Sequence, residues 1–305
     1  MSKNVTRLGL APSCDMFNLG SSYFHVALTT VRHLLIVRYN VSASESRPYT
    51  RLIHAMYKNA DMPRRWLRSA RSWPAANRDF AYCYWTDAEL AAFVAAEYAW
   101  LVPTYDSYAF PIQRCDVVRY MLLYRYAGVY VDLDVGCRVP LSTVLAGVPP
   151  AAGVVVAPTL PSGYALDFIG VRRPGDPTMR SVISGLRRAA ASRWYLPIPY
   201  ASIMMRSGPR YFTRRLDCLA RQDRIHAIPW DVYAGYVEHV GGTTWHTWDA
   251  VVISYLFVRR WQLLRLGVVL AAVAAAVGAY RYRRSIAGCL QSRLDGSNKH
   301  RRRET

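Results

Sequence analysis

A chain of 305 residues, 52 % of them hydrophobic and 19 % charged, folds around a substantial core rather than staying disordered. Its net charge of +19 invites a nucleic-acid partner, but eight Lys/Arg crowd the segment 281–305 and the other arginines are scattered, with no nucleic-acid-binding module. The six cysteines form no C-x-x-C pair and no zinc-finger cluster, which argues against a zinc site and leaves one disulfide open without choosing its pair.

Residues 1–50 stand apart. Tyr23 to Val41 is apolar overall, but Arg32, His33 and Arg38 interrupt it. Three such cations at the centre of a spanning helix are costly, so the segment reads as a degenerate anchor or a surface helix. It lacks the short basic region and clean apolar run of a cleavable signal.

Residues 51–255 alternate strand-like and helix-like stretches, the pattern of an α/β domain. Arg51 to His54 and Phe80 to Trp85 are predicted strands. Thr86 is placed to cap a helix over Asp87 to Tyr98, with Glu89 at its third position. Pro111 opens another helix and Gly128 closes it. Val129-Tyr130-Val131 is a short β-prone run that leads into Asp132.

Residues 261–280 carry one charge, Arg265, and about 20 such residues suffice to cross a hydrocarbon core. The competing reading is a buried Ala-rich core helix, against which stand the arginines on both flanks. The basic tail, residues 281–305, outweighs the cations just before the span. That bias puts the tail in the cytosol and the α/β domain in the lumen. The sequons at Asn4 and Asn40 are compatible with a lumenal side.

Within the α/β domain, Asp132-Leu133-Asp134 follows the predicted strand. On a strand, residues i and i+2 share a face, so the two carboxylates are expected to point together with Leu133 turned inward. Such a pair repels itself unless a cation sits between, and Mn²⁺ or Mg²⁺ favours carboxylate and phosphate oxygens. Taken alone, the triplet reads equally well as an exposed acidic pair or a structural cation site. On the preceding helix, Asp116 and Arg119 are spaced to pair, and Arg114 adds a charge. A third polar cluster runs from Gly241 to Asp249, where Trp245 and Asp249 flank His246 and the glycines allow a close backbone approach. Each of these has an ordinary structural reading, an intrahelical ion pair or a capped turn.

As a set, these residues resemble glycosyltransferase family 32, whose sugar-binding region contains a DXD motif. Leu52-Ile53-His54 is similar to the family's opening strand, although Ala55-Met56 replaces the usual Gln-Thr. The likeness continues through Trp66, Tyr84 to Asp87 and Tyr98 to Leu101, and is densest over Tyr108 to Pro140. There the chain is similar to the catalytic subunits of mannosyl phosphorylinositol ceramide synthase, with Cys115 in place of an Ala and Ala127 in place of a Gly. Trp194 to Pro209 and Gly242 to His246 resemble the same subgroup.

The resemblance implies a GT-A type nucleotide-sugar-binding fold, a mixed and mainly parallel sheet, followed by the C-terminal transmembrane helix. It implies retaining transfer of a hexose, in this subgroup mannose from GDP-mannose to a lipid acceptor, inositol phosphorylceramide. By resemblance Asp132 and Asp134 bind Mn²⁺ or Mg²⁺ with His246 closing the metal shell. Asp116, Arg119 and Arg114 contact the donor sugar. His54, Trp245 and His246 line the nucleotide and diphosphate. Asp167 keeps a catalytic, acceptor-side role, although Leu166 replaces the subgroup's Asn beside it. A small regulatory membrane subunit is a further expected partner, nucleic acid is not, and the Golgi or another endomembrane is the expected location. Two other readings stay open: a protein or N-glycan hexosyltransferase, and an inactive regulatory relative.

Overall fold

The computed structural model describes residues 13–15, 49–159, 163–192, 198–219, 222–242 and 248–301. The chain divides into two compact units, Met1–Thr247 and Trp248–Thr305.

The first unit is built on a seven-stranded sheet of β1 (Ser13–Asp15), β2 (Leu52–Tyr57), β3 (Ala81–Thr86), β4 (Gly128–Val131), β6 (Val154–Pro158), β7 (Tyr164–Val171) and β8 (Ile225–Ala227), in the order β1-β3-β2-β4-β7-β6-β8. β2, β3, β4, β6 and β8 run one way; β1 and β7 run against them. This is the mixed, mainly parallel α/β sheet expected. A two-stranded ribbon joins β5 (Val135–Cys137) to β9 (Val237–His239). The helices are α1 (Leu67–Ala76), α2 (Asp87–Glu97), α3 (Val102–Asp106), α4 (Pro111–Tyr126), α5 (Leu141–Ala146), α6 (Pro177–Ser184), α7 (Leu186–Ala191), α8 (Pro199–Arg206), α9 (Pro209–Asp217) and α10 (Trp230–Tyr236).

The central strands are apolar on both faces because both faces are covered. Tyr130 of β4 enters a core with residues of α2, α4, α6 and α9. Its neighbours Val129 and Val131 point the other way, into a core with α1 and α10. Thr86 caps α2 with a reciprocal bond to Glu89, as its spacing predicts. Pro111 stands at the first position of α4. That helix ends on Ala127 at φ 58°, and Gly128 follows at φ 89°. A Cβ on Gly128 would strike the Leu52 backbone, so only glycine lets β4 lie this close to β2. Cys83 is disulfide-bonded, and the strand register sets Cys14 opposite it. Cys115, Cys137 and Cys218 are free.

The second unit is one helix, α11 (Trp248–Arg301). The sequence suggests a domain end near 255, a span over 261–280 and a separate tail. The structure instead makes one helix of these stretches as far as Arg301, because no proline interrupts them and their Leu, Ala and Arg content favours helix throughout. Its segment Val258–Ala279, with mean hydropathy 1.9, is long and apolar enough to cross a membrane.

Candidate active site

The parallel strands β2, β3 and β4 all end on the same edge of the sheet, where ligands bind in open α/β folds. Asp132-Leu133-Asp134 lies on that edge. It is a turn between β4 and β5, closed by a bond from Val135 N to Asp132 O at 3.1 Å, rather than the end of a strand. Leu133 is buried as expected. The turn, not strand alternation, brings the two carboxylates together.

Three segments distant in sequence hold this turn. Asp132 N donates to Asp167 O at 3.0 Å, which ties it to β7. Val240 N donates to Asp134 O at 2.8 Å, just past β9. The Ser69 hydroxyl of α1 donates to Leu133 O. Gly242 comes so close that a Cβ there would collide with the Asp134 carboxylate. Burial, then the charge of Asp132, raises the Asp134 pKa.

Behind the turn stands α4. Arg119 Nη2 lies 3.4 Å from Asp116 Oδ1, and its Nη1 lies 3.6 Å from Asp132 Oδ1. Nη1 also donates to Leu166 O at 2.7 Å, and the guanidinium covers the Tyr130 ring at 4.7 Å. The Tyr130 hydroxyl donates to Asp132 Oδ1 at 2.6 Å. Asp116 Oδ2 accepts from Ser207 at 3.0 Å. Burial pushes the Asp116 pKa up, and Arg119 and Ser207 oppose it. The Asp116 and Arg119 side chains are each 4 % exposed. They brace Asp132 from within, where direct contact with a donor sugar was expected. Arg114 turns away altogether and donates to Tyr108 O at 2.9 Å.

Asp167, on β7, faces the turn from the other side. Burial, with Asp132 and Asp134 adding to it, pushes its pKa up to about 7. The Tyr233 hydroxyl is aimed closely enough to oppose that rise, yet neither it nor Asp167 Oδ1 completes a hydrogen bond. His239 Nδ1 stands 3.7 Å from Asp167 Oδ2. Sequence reasoning missed Tyr233 and His239, because only the fold brings β9 and α10 beside the turn; it missed Tyr130 although that residue lies two positions before Asp132.

A family model described as the glycosyltransferase sugar-binding region containing the DXD motif matches residues 63–149, from before α1 through α4 and the acidic turn. Inositol phosphoceramide mannosyltransferase 3 of Schizosaccharomyces pombe is 30 % identical over 238 residues, covering 75 % of this chain and 64 % of that protein. Over residues 63–149 the chain carries the DXD-containing sugar-binding region. Mannosyl phosphorylinositol ceramide synthase SUR1 of Saccharomyces cerevisiae is 34 % identical over 219 residues, covering 68 % of this chain and 54 % of the relative. The chain thus spans less than two thirds of the length of either relative. Among solved structures, the PaToxG glycosyltransferase aligns at 16 % identity over 56 % of this chain and 69 % of its own, with a TM-score of 0.42.

The place of His54 is a correction. It is fully buried, with Nε2 bonded to Ala127 O at 2.9 Å and Nδ1 accepting from Trp85 Nε1 at 3.2 Å. Burial lowers its pKa to about 4, so it stays neutral and holds the core instead of reaching a nucleotide. Trp245 and His246 lie outside the described residues. Among the described residues, no group of three or more His, Cys, Asp or Glu is arranged to hold a metal ion. The DXD turn still fits a divalent cation: two carboxylates share one turn, and the raised pKa of Asp134 marks a charge that a cation would relieve.

Proposed function

We propose that the protein is a metal-dependent, retaining mannosyltransferase that moves mannose from GDP-mannose onto an inositol phosphorylceramide-type sphingolipid. The observation that carries this reading is the DXD turn itself, with its backbone at Asp132 and Asp134 held by long-range bonds and the Asp132 carboxylate braced by the buried Arg119–Asp116 pair. The names of the mannosyltransferase relatives support the sugar and the lipid.

Asp132 and Asp134 would hold Mn²⁺ or Mg²⁺, which neutralises charge on a departing diphosphate. Arg119 fixes the aim of Asp132 and, through Leu166 O, the start of the Asp167 segment. Tyr130 fixes the same carboxylate from its own strand. Because these partners are in place beforehand, the site spends no reorganisation when the donor arrives. Asp167, whose backbone carbonyl accepts from Asp132 N, would serve the acceptor side. The apolar segment Val258–Ala279 supports anchoring to an endomembrane with the site in the lumen, which would keep it near lipid head groups.

The test is a panel of nucleotide sugars offered to the full chain in detergent, with lipid extract or glycopeptide as acceptor, with and without EDTA. GDP-mannose should be consumed, lipid labelled and EDTA should stop both. Preference for a UDP-hexose, labelling of glycopeptide alone, or indifference to EDTA would each overturn the reading.

A further inference from the structure

The acidic turn rests on the inner face of α1. Ser69 donates to Leu133 O, the Trp73 indole N–H donates to Val135 O at 2.7 Å, and Ser72 Oγ accepts from Cys137 N at 2.7 Å. One side of this helix is therefore fastened to the turn and to β5. Its other side takes no part in the proposed chemistry, and it is strongly basic.

A single 3₁₀ turn, Arg64–Trp66, runs into α1. Trp66, Ala70 and Trp73 recur at helical spacing and are buried. Arg64, Arg68 and Arg71 recur at the same spacing on the opposite side and are exposed, with Arg65 beside them. The Arg65 guanidinium covers the Trp66 ring, 4.4 Å from its centroid. Arg64 and Arg65 form no ion pair among the described residues. Arg68 reaches Glu238 of β9 at 3.8 Å, but its side chain is 86 % exposed, and such a surface pair neutralises little.

Helix stability does not explain these arginines. The start of a helix favours carboxylates and disfavours cations, yet neither the 3₁₀ turn nor the first turn of α1 holds an acidic residue. Guanidinium groups match phosphodiesters, which they grip through paired hydrogen bonds. From Arg64 to Arg71 the row is about 10 Å long, which suits an array of phosphates better than one small anion. No nucleic-acid-binding module accompanies it. The segment Val258–Ala279, long and apolar enough to cross a membrane, would keep the chain where lipid phosphates are concentrated.

We infer that the arginine face of α1 docks on the phosphodiester head groups of an anionic bilayer and so holds the acidic turn close to the lipid surface. The inference rests on the membrane-anchored reading proposed above and adds the surface that meets the bilayer. It does not depend on which sugar is moved.

The experiment places the full chain in nanodiscs of phosphatidylcholine alone, or of equal parts phosphatidylcholine and phosphatidylinositol, and follows phenylglyoxal modification of each arginine by mass spectrometry. Arg64, Arg65 and Arg68 should react about fivefold more slowly in the mixed discs, and salt at about 1 M should remove the difference. Arg210 and Arg214, exposed on α9, are the control and should react equally in both. Equal rates for the α1 arginines in the two discs would overturn the inference. So would equal protection of Arg210 and Arg214, which would mean attraction by net charge alone. Full protection by inorganic phosphate in neutral discs would make the face a site for a soluble anion and would overturn it too. A chain that does not stay with the discs on flotation would overturn the membrane-anchored reading instead.

Discussion

Arg119 reaches Asp132 from the helix behind it, with Nη1 3.6 Å from Oδ1 and both groups joined through the same guanidinium to Asp116. A residue of α4 thus sets the aim of a carboxylate just past the end of β4. Removing it leaves Asp116 buried and unpaired. Arg119→Ala should cost about 3–5 kcal/mol in denaturant melts, and the double variant with Asp116→Ala should cost less than the two single losses added together. Additive losses would mean that the pair is not coupled.

Asp134 behaves differently. Burial and Asp132 already disfavour its charge, so Asp134→Asn removes repulsion from the apo fold. We expect its Tm to be no lower than that of wild type, while metal-stimulated donor turnover disappears. Loss of fold, or retained EDTA-sensitive turnover, would contradict this.

Gly242 tests how tightly the turn is hemmed in. A methyl there meets the Asp134 carboxylate. Gly242→Ala should therefore shift that carboxylate and lower turnover about 10- to 100-fold with little change in Tm. Equal turnover in the two proteins would show that Asp134 can move without consequence.

Ala127 sits at φ 58° and ψ −158°, a region that glycine alone occupies comfortably. Strain of about 1–3 kcal/mol there exceeds the roughly 1 kcal/mol lost with a buried methyl. Ala127→Gly should raise stability by about 1 kcal/mol, and Ala127→Val should lower it. The check is a pair of chemical melts.

His54 gives a pH signature. Its folded pKa, about 4, lies below the ordinary 6.5, so the unfolded chain binds the proton more tightly. The stability it confers is complete above pH 6.5 and lost as pH falls toward 4, by about 3 kcal/mol in all. His54→Gln should flatten that part of the stability profile in acid melts. An unchanged slope would assign the acid sensitivity to other groups.

What the sequence reveals follows from the range of each interaction. The capping box of Thr86 and Glu89 and the pair Asp116–Arg119 lie within one helical turn, and both form as their spacing predicts. The strand alternation argument failed for Asp132 and Asp134 because the chain turns after Val131, a choice enforced by distant bonds from Val240 and to Asp167. The expectation that His54 lines the nucleotide came from the likeness of Leu52-Ile53-His54 to the family's opening strand. Only the packing of Trp85 and the Ala127 carbonyl around it shows a core residue. His239 carried no local signal, since its partners come from β7 and α10.

The tie between Val240 and Asp134 also sets an order of events during synthesis. The acidic triplet leaves the ribosome long before the segment that fastens it. Until Val240 follows, the two carboxylates have no fixed separation and little hold on a cation. A partly made chain would therefore carry the motif without the affinity, and donor binding is withheld until the domain is nearly whole.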